Sequence, residues 1–147
     1  MLTQLVYSSA ATEPMPKSKL YKILFDARVN NKLLDITGLL VYVDGLFLQA
    51  LEGNPESVSS LYKKISSDSR HKNVKVISET AVEQRTFQSW QMAYVSPSAK
   101  ELATWTGLRN TTTVEATLAA LEKEPDRVAA VLLELLRAIP KSDLSPD

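Results

Sequence analysis

Two apolar runs, Ile36 to Val43 and Leu46 to Glu52, are separated by Asp44-Gly45 alone. An Asp-Gly pair accepts the two positive φ angles of a tight hairpin turn, so the runs are predicted to fold back as antiparallel neighbours. The first run is apolar almost throughout, as a strand buried on both faces would be. In the second, Phe47, Gln49 and Leu51 fall on one face and Leu46, Leu48 and Ala50 on the other, because side chains alternate along a strand.

The rest of the chain can be read around this hairpin. Leu2 to Ser8 is a predicted strand, with Leu5 and Tyr7 on one face and Val6 on the other. Two prolines in Ala10 to Pro16 interrupt it. A helix is expected from Lys17 to Asn30, where Leu20, Ile23, Leu24 and Ala27 share one face and the polar Asn30, Asn31 and Lys32 close it. Asn54-Pro55 opens a second helix, since Asn caps free amides and Pro suits the first turn. Its apolar face is Val58, Leu61, Tyr62 and Ile65. Ser66 to Asn73 reads as a polar loop, Val74 to Thr80 as a strand and Trp90 to Val95 as another; Val82 to Ser89 fits no single pattern. The order β-α-β-β-α-β-β is that of an α+β, ferredoxin-like sheet with two helices on one face.

This first domain is expected to cover residues 1–95. Residues 96–139 read as a helical region. It opens at Ser96-Pro97, stops at Gly107, resumes over Thr113 to Lys123, and restarts after Pro125 with Val128, Val131, Leu132 and Leu135 on one face. The polar tail, residues 140–147, is expected to be disordered.

With 147 residues the chain can bury one full core. Lys plus Arg and Asp plus Glu both number 17, a balance that argues against nucleic acid as the main partner. With no cysteine and a single histidine, His71, thiolate metal sites, iron–sulfur clusters, thiol nucleophiles and a flavin–cysteine adduct are excluded. Four glycines, Gly38, Gly45, Gly53 and Gly107, cannot build a dinucleotide fingerprint or a phosphate loop. No apolar run approaches the roughly 20 residues needed to span a membrane, and Met1 to Ala11 lacks a signal-peptide pattern. The expected location is the cytoplasm.

Polar residues stand where a core should be apolar. Tyr7 closes a strand, Asn31 closes a helix, and Gln49 interrupts Phe47-Leu48-Gln49-Ala50-Leu51. A buried amide left without a partner costs about 1–3 kcal/mol. A flat heterocycle with carbonyls and ring nitrogens would satisfy all three residues. The alternative is a Gln on a solvent face and a Tyr with its hydroxyl at the rim.

Several motifs, in order and at matching spacing, resemble the BLUF family, sensors of blue light using FAD. They are Tyr7-Ser8-Ser9, Asn30-Asn31, Ile36-Thr37-Gly38-Leu39-Leu40 and Phe47-Leu48-Gln49-Ala50-Leu51-Glu52-Gly53, followed by Asp68, Arg70 and His71, and by Phe87, Trp90 and Met92. The resemblance runs from Leu2 to Val95. It implies FAD bound non-covalently between the two helices, with FMN or riboflavin tolerated. Asn31, with Asn30 beside it, would bond the pyrimidine edge, Ile23 and Ile65 would sandwich the ring, and Gln49 would bridge Tyr7 and the flavin N5/O4 edge. Asp68, Arg70 and His71 belong to the same implied binding set. Lys64 stands where relatives often carry Arg and lacks the forked contact; Ala27 replaces a Ser of some relatives.

The resemblance further implies that blue light draws an electron and then a proton from Tyr7 through Gln49. On return, Gln49 is left rotated or tautomerised, with a different bond to flavin O4. The signal then passes through Trp90 or Met92 on the last strand to the C-terminal helices. The chain is expected to be no enzyme by itself, to form a homo-oligomer and to signal to a separate downstream protein. Two other classes stay open on sequence alone: a small flavoenzyme, and a light-blind ferredoxin-like interaction domain.

Overall fold

A computed structural model of the chain describes residues 1–87, 92–95, 114–124 and 128. Its elements are β1 (Leu2–Ala11), α1 (Lys17–Leu34), β2 (Thr37–Val43), β3 (Leu46–Gly53), α2 (Pro55–Ser66), β4 (His71–Val82), β5 (Ala93–Val95) and α3 (Val114–Lys123). The strands form one sheet in the order β4-β1-β3-β2-β5. The first four are antiparallel neighbours, the ferredoxin-like arrangement the sequence predicts, and β5 adds a parallel edge beside β2.

The hairpin sets the register of the whole sheet. Asp44 and Gly45 take φ of 48° and 78°, the two positive angles the turn demands. Leu40 therefore pairs with Gln49, and Gln49 pairs in turn with Tyr7 on β1. Gly38 allows β2 and β3 to approach closely: a Cβ there would lie 2.1 Å from the Ala50 carbonyl oxygen. Register shifts in the β1–β4 pairing fall between Val6 and Tyr7 and between Ser8 and Ala10, so the strand is irregular at Tyr7. Irregularities of this kind re-aim side chains beside functional sites.

Both faces of the sheet are buried. On the helix side, Leu5, Tyr7, Leu40, Phe47 and Leu51 pack with Leu20, Ile23 and Leu24 of α1 and with Val58 and Leu61 of α2. On the far side, Val6, Leu39, Val41, Leu48 and Ala50 are buried as well. The ion pair between Lys75 on β4 and Glu122 on α3, at 3.0 Å, lies on that far side, because Lys75 pairs with Ser8. Leu121 of α3 and Val128 are also buried.

Element ends differ from the sequence reading in informative places. Helix α1 runs one turn past Asn30, to Leu34, and stops at Asp35, which takes φ 55° and ψ 44° and donates its amide to the carbonyls of Asn31 and Lys32. The polar residues Asn30 and Asn31 thus sit inside the last turns rather than at the end. His71 opens β4 instead of lying in a loop: Ala11 pairs with it, and the Thr12 amide donates to the Arg70 carbonyl at 3.2 Å. Strand β4 is 12 residues long because it pairs along most of β1. Asn54 caps α2 as predicted, accepting from the Glu56 amide at 3.0 Å. Of the predicted strand Trp90 to Val95, Ala93–Val95 is strand; Trp90 lies outside the described residues, as do 96–113, 129–139 and the tail 140–147.

Candidate functional site

A cleft, partly open to solvent, lies between α1 and α2 over the helix side of the sheet. Its walls follow from helical spacing. Ile23, Asp26, Ala27, Asn30 and Asn31 form one side of α1, and Leu61, Lys64 and Ile65 one side of α2. Leu40 and Gln49 make the floor, and Asp68, Arg70 and His71 the rim after α2.

At the floor, the Tyr7 hydroxyl donates to Gln49 Oε1. Gln49 Nε2 in turn donates to Met92 Sδ at 3.6 Å. Tyr7, Gln49 and Met92 are all buried, so this chain of contacts is shielded from water. Tyr7 stands behind Gln49 rather than on the cleft wall, in edge-on contact with Tyr62 at 5.4 Å. Burial holds its phenol well above the ordinary tyrosine range, and Tyr62 and Asp68 add to the rise. Tyr7 is therefore a fixed proton donor at neutral pH, and Gln49 is the group placed to receive.

Asn31 is tied into the fold by its backbone carbonyl, which accepts from the Ile36 amide at 2.8 Å. Its side-chain oxygen is buried beside the cleft and accepts no hydrogen bond from the described residues. With Gln49 and Asn30 it offers amide donors and acceptors to a flat polar edge, while Ile23, Leu40, Leu61 and Ile65 offer an apolar slot. This donor set fits a flavin ring.

The rim is built by charge. Arg70 grips Asp68 through Nε at 3.0 Å and Nη2 at 2.6 Å, and its Nη1 lies 3.8 Å from Asp26 across the cleft mouth. The Arg70 hydrogen bond holds the Asp68 carboxyl below the usual carboxylate range. His71 Nδ1 lies 2.9 Å from Ser9 Oγ, and its ring packs on Phe47 at 4.9 Å. Burial pushes the His71 pKa down.

The structure thus gathers Ile23, Asn30, Asn31, Gln49, Lys64, Ile65, Asp68, Arg70 and His71 around one cleft, with Tyr7 and Met92 behind it. Sequence reasoning missed Asp26, Leu40 and Leu61 as lining residues. The signals were present: Asp26 is one turn from Ile23, Leu61 is one turn from Ile65, and Leu40 faces Gln49 once the Asp44-Gly45 turn is placed. It also missed a buried hub on the far side. Glu52 is fully buried and accepts from Gln4 Nε2, Thr37 Oγ1 and the amides of Thr86 and Phe87. Arg85 ties the same loop to the Glu52 and Asp35 carbonyls.

Comparison with known proteins identifies the family. A family model described as sensors of blue-light using FAD matches residues 2–93. The photoactivated adenylate cyclase subunit beta of Euglena longa is 38% identical over 109 residues, covering 74% of this chain and 13% of that protein. The subunit alpha of Euglena gracilis is also 38% identical, over 74% of this chain and 11% of that protein. The chain therefore spans only a small part of these relatives. Among solved structures, BlsA in its ground state superposes with a TM-score of 0.81 at 32% identity, covering 96% of this chain and 91% of that one. The dark state of BlrB, a BLUF protein, gives 0.74 at 27% identity, covering 94% and 97%. The chain belongs to the BLUF family, the flavin-binding sensors of blue light whose cofactor is FAD.

Proposed function

We propose that this chain senses blue light through FAD held between α1 and α2, with Tyr7 and Gln49 as the photoactive pair and Met92 as the first receiver. The observation that carries this reading is the buried contact chain from Tyr7 through Gln49 to Met92 beneath the cleft. When bound and excited by blue light, FAD supplies a strong one-electron oxidant. Asn30 and Asn31 bind its polar edge, Ile23 and Ile65 sandwich the ring, and Lys64, Asp68, Arg70 and His71 hold the parts nearer the mouth.

Tyr7 keeps its proton on Oη in the dark, because burial disfavours the phenolate. Loss of an electron makes a phenol strongly acidic, so its proton then moves to Gln49 Oε1, the acceptor already in contact. When electron and proton return, Gln49 settles turned or tautomerised. Its amide no longer presents the same donor to Met92 Sδ. A donor lost at that sulfur is felt at β5, which follows Met92 directly. The signal leaves by β5 and the helical region 96–139, on a domain division at residue 95, toward a separate downstream protein. In this reading the chain performs no turnover of its own, works as a homo-oligomer and resides in the cytoplasm. Among the described residues no helix is long and apolar enough to cross a membrane.

The test is the visible absorption of FAD-loaded protein before and after blue light. The expected result is a flavin band with a small, reversible red shift, lost in both Tyr7→Phe and Gln49→Leu. Bound flavin without that shift would overturn the reading.

A further inference from the structure

Among the described residues, strand β5 is the shortest element of the sheet, with 3 residues at its edge paired with β2 alone, through Leu39–Ala93, Leu40–Tyr94 and Val41–Val95. Short edge elements with few partners open at low cost. Yet the residue just before it, Met92, is only 1% exposed and reaches Gln49. Something must fix the entry of β5 to the body of the protein.

Arg28 meets that need. Its Nε donates to the Met92 backbone carbonyl at 3.1 Å, across 64 residues of sequence and in a partly buried position. Arg28 lies on α1 directly after Ala27 and two residues before Asn30, both of which line the cleft, though Arg28 does not. Met92 is thus held twice: by α1 on its carbonyl and by β3 on its sulfur. The two holds are unequal. A hydrogen bond from a guanidinium is charge-assisted and strong, whereas a thioether is a weak acceptor. The stronger hold is independent of Gln49, so the Met92 carbonyl stays tied to α1 while the sulfur and the strand beyond it respond to the loss of the weaker one.

We propose that Arg28 is a positioning residue for Met92: it latches the entry of β5 to α1 and keeps the sulfur where Gln49 can return to it, which sets the lifetime of the light state. The lifetime half rests on the photoreceptor reading above; the latch itself does not. Arg28→Met keeps most of the apolar stem and removes the donors. Arg28→Lys keeps the charge and one route to the carbonyl. A role in packing alone would leave both variants like the native protein.

The experiment has two arms on FAD-loaded, full-length protein. In the dark, amide hydrogen exchange is followed residue by residue. Arg28→Met is expected to speed exchange at Ala93–Val95 at least tenfold, with β1 to β3 unchanged and Arg28→Lys in between. Exchange at β5 within twofold of native, or an equal rise in every strand, would overturn the latch. If Arg28→Met does not fold, Arg28→Lys decides alone: faster exchange confined to β5 supports the latch, and native exchange overturns it. In the second arm, recovery after a blue flash is expected to slow at least threefold in Arg28→Met, with FAD affinity unchanged. Recovery at the native rate, or faster, would overturn the control of lifetime. A native protein with no red shift would defeat the photoreceptor reading and the lifetime role with it. That failure is distinguishable from failure of the latch, which the dark exchange arm decides by itself.

Discussion

Strand β3 carries a buried polar side chain on each face, Gln49 toward the cleft and Glu52 away from it. Glu52 is saturated. Its two oxygens accept from two side chains and two backbone amides, at 2.5 to 3.2 Å. Gln49 has one firm partner, Tyr7, and one soft one, the Met92 sulfur. A carboxylate closed in by four donors has no second arrangement of similar energy, while an amide held on a weak acceptor does. The same strand therefore offers a rigid face and an adaptable one, and chemistry belongs on the adaptable face.

Substitutions should separate the two. Gln49→Leu or Tyr7→Phe is expected to abolish the red shift entirely while the protein stays folded, as read by difference absorption and circular dichroism. Glu52→Ala should do the reverse. Orphaned buried donors cost about 1–3 kcal/mol each, and part of that loss is relieved by rearrangement, so urea unfolding should show about 3 kcal/mol less stability. The folded fraction should keep its red shift. A light response lost in Glu52→Ala, or a protein unfolded by Gln49→Leu, would break the division. Lys64→Arg sharpens the cleft side: a forked cation at the mouth is expected to tighten FAD by about twofold to fivefold in a fluorescence titration, the scale of an exposed ionic contact.

The smallest effect is in pH. Burial lowers the His71 pKa, so between the ordinary value of about 6.5 and the lower folded one the unfolded chain binds more protons. Stability is then full above that window and falls as pH drops through it. Asp68, lowered by Arg70, adds a second loss only at more acid pH, below the ordinary carboxylate range. Melting temperature should decline by about 2 °C or less between pH 7 and the lower end of the His71 window. His71→Gln should flatten that decline and keep most of the acid limb, which the Arg70 hydrogen bond to Asp68 sets.

The cleft was legible through the BLUF resemblance, which set the ring between the two helices, and two regular periods agree with that placement. Helical spacing puts Ile23 and Ala27 on one face of α1 and Leu61 and Ile65 on one face of α2, strand alternation sets the sides of Tyr7 and Gln49, and Asn31 came from the resemblance and its polar place near the helix end. The Asp44-Gly45 turn then fixes who faces whom. The Glu52 hub was not legible. Its partners Gln4, Thr37, Thr86 and Phe87 are brought together only by the sheet order and by a loop with no period of its own. Arg28 was hidden for the same reason, since its contact joins α1 to a strand entry 64 residues away. The end of α1 was misread because Asn30 and Asn31 look like terminators; the αL residue that stops the helix is Asp35.

The far face has a consequence for how such chains diversify. Leu39, Val41, Leu48 and Ala50 present a finished apolar surface that shares no atom with the cleft, and α3 meets that side of β4 through the exchangeable pair of Lys75 and Glu122. A board finished separately on its two sides can receive a new back plate without disturbing the optics mounted on the front. Selection is then at liberty to rewrite the addressee of the message and leave the detector untouched.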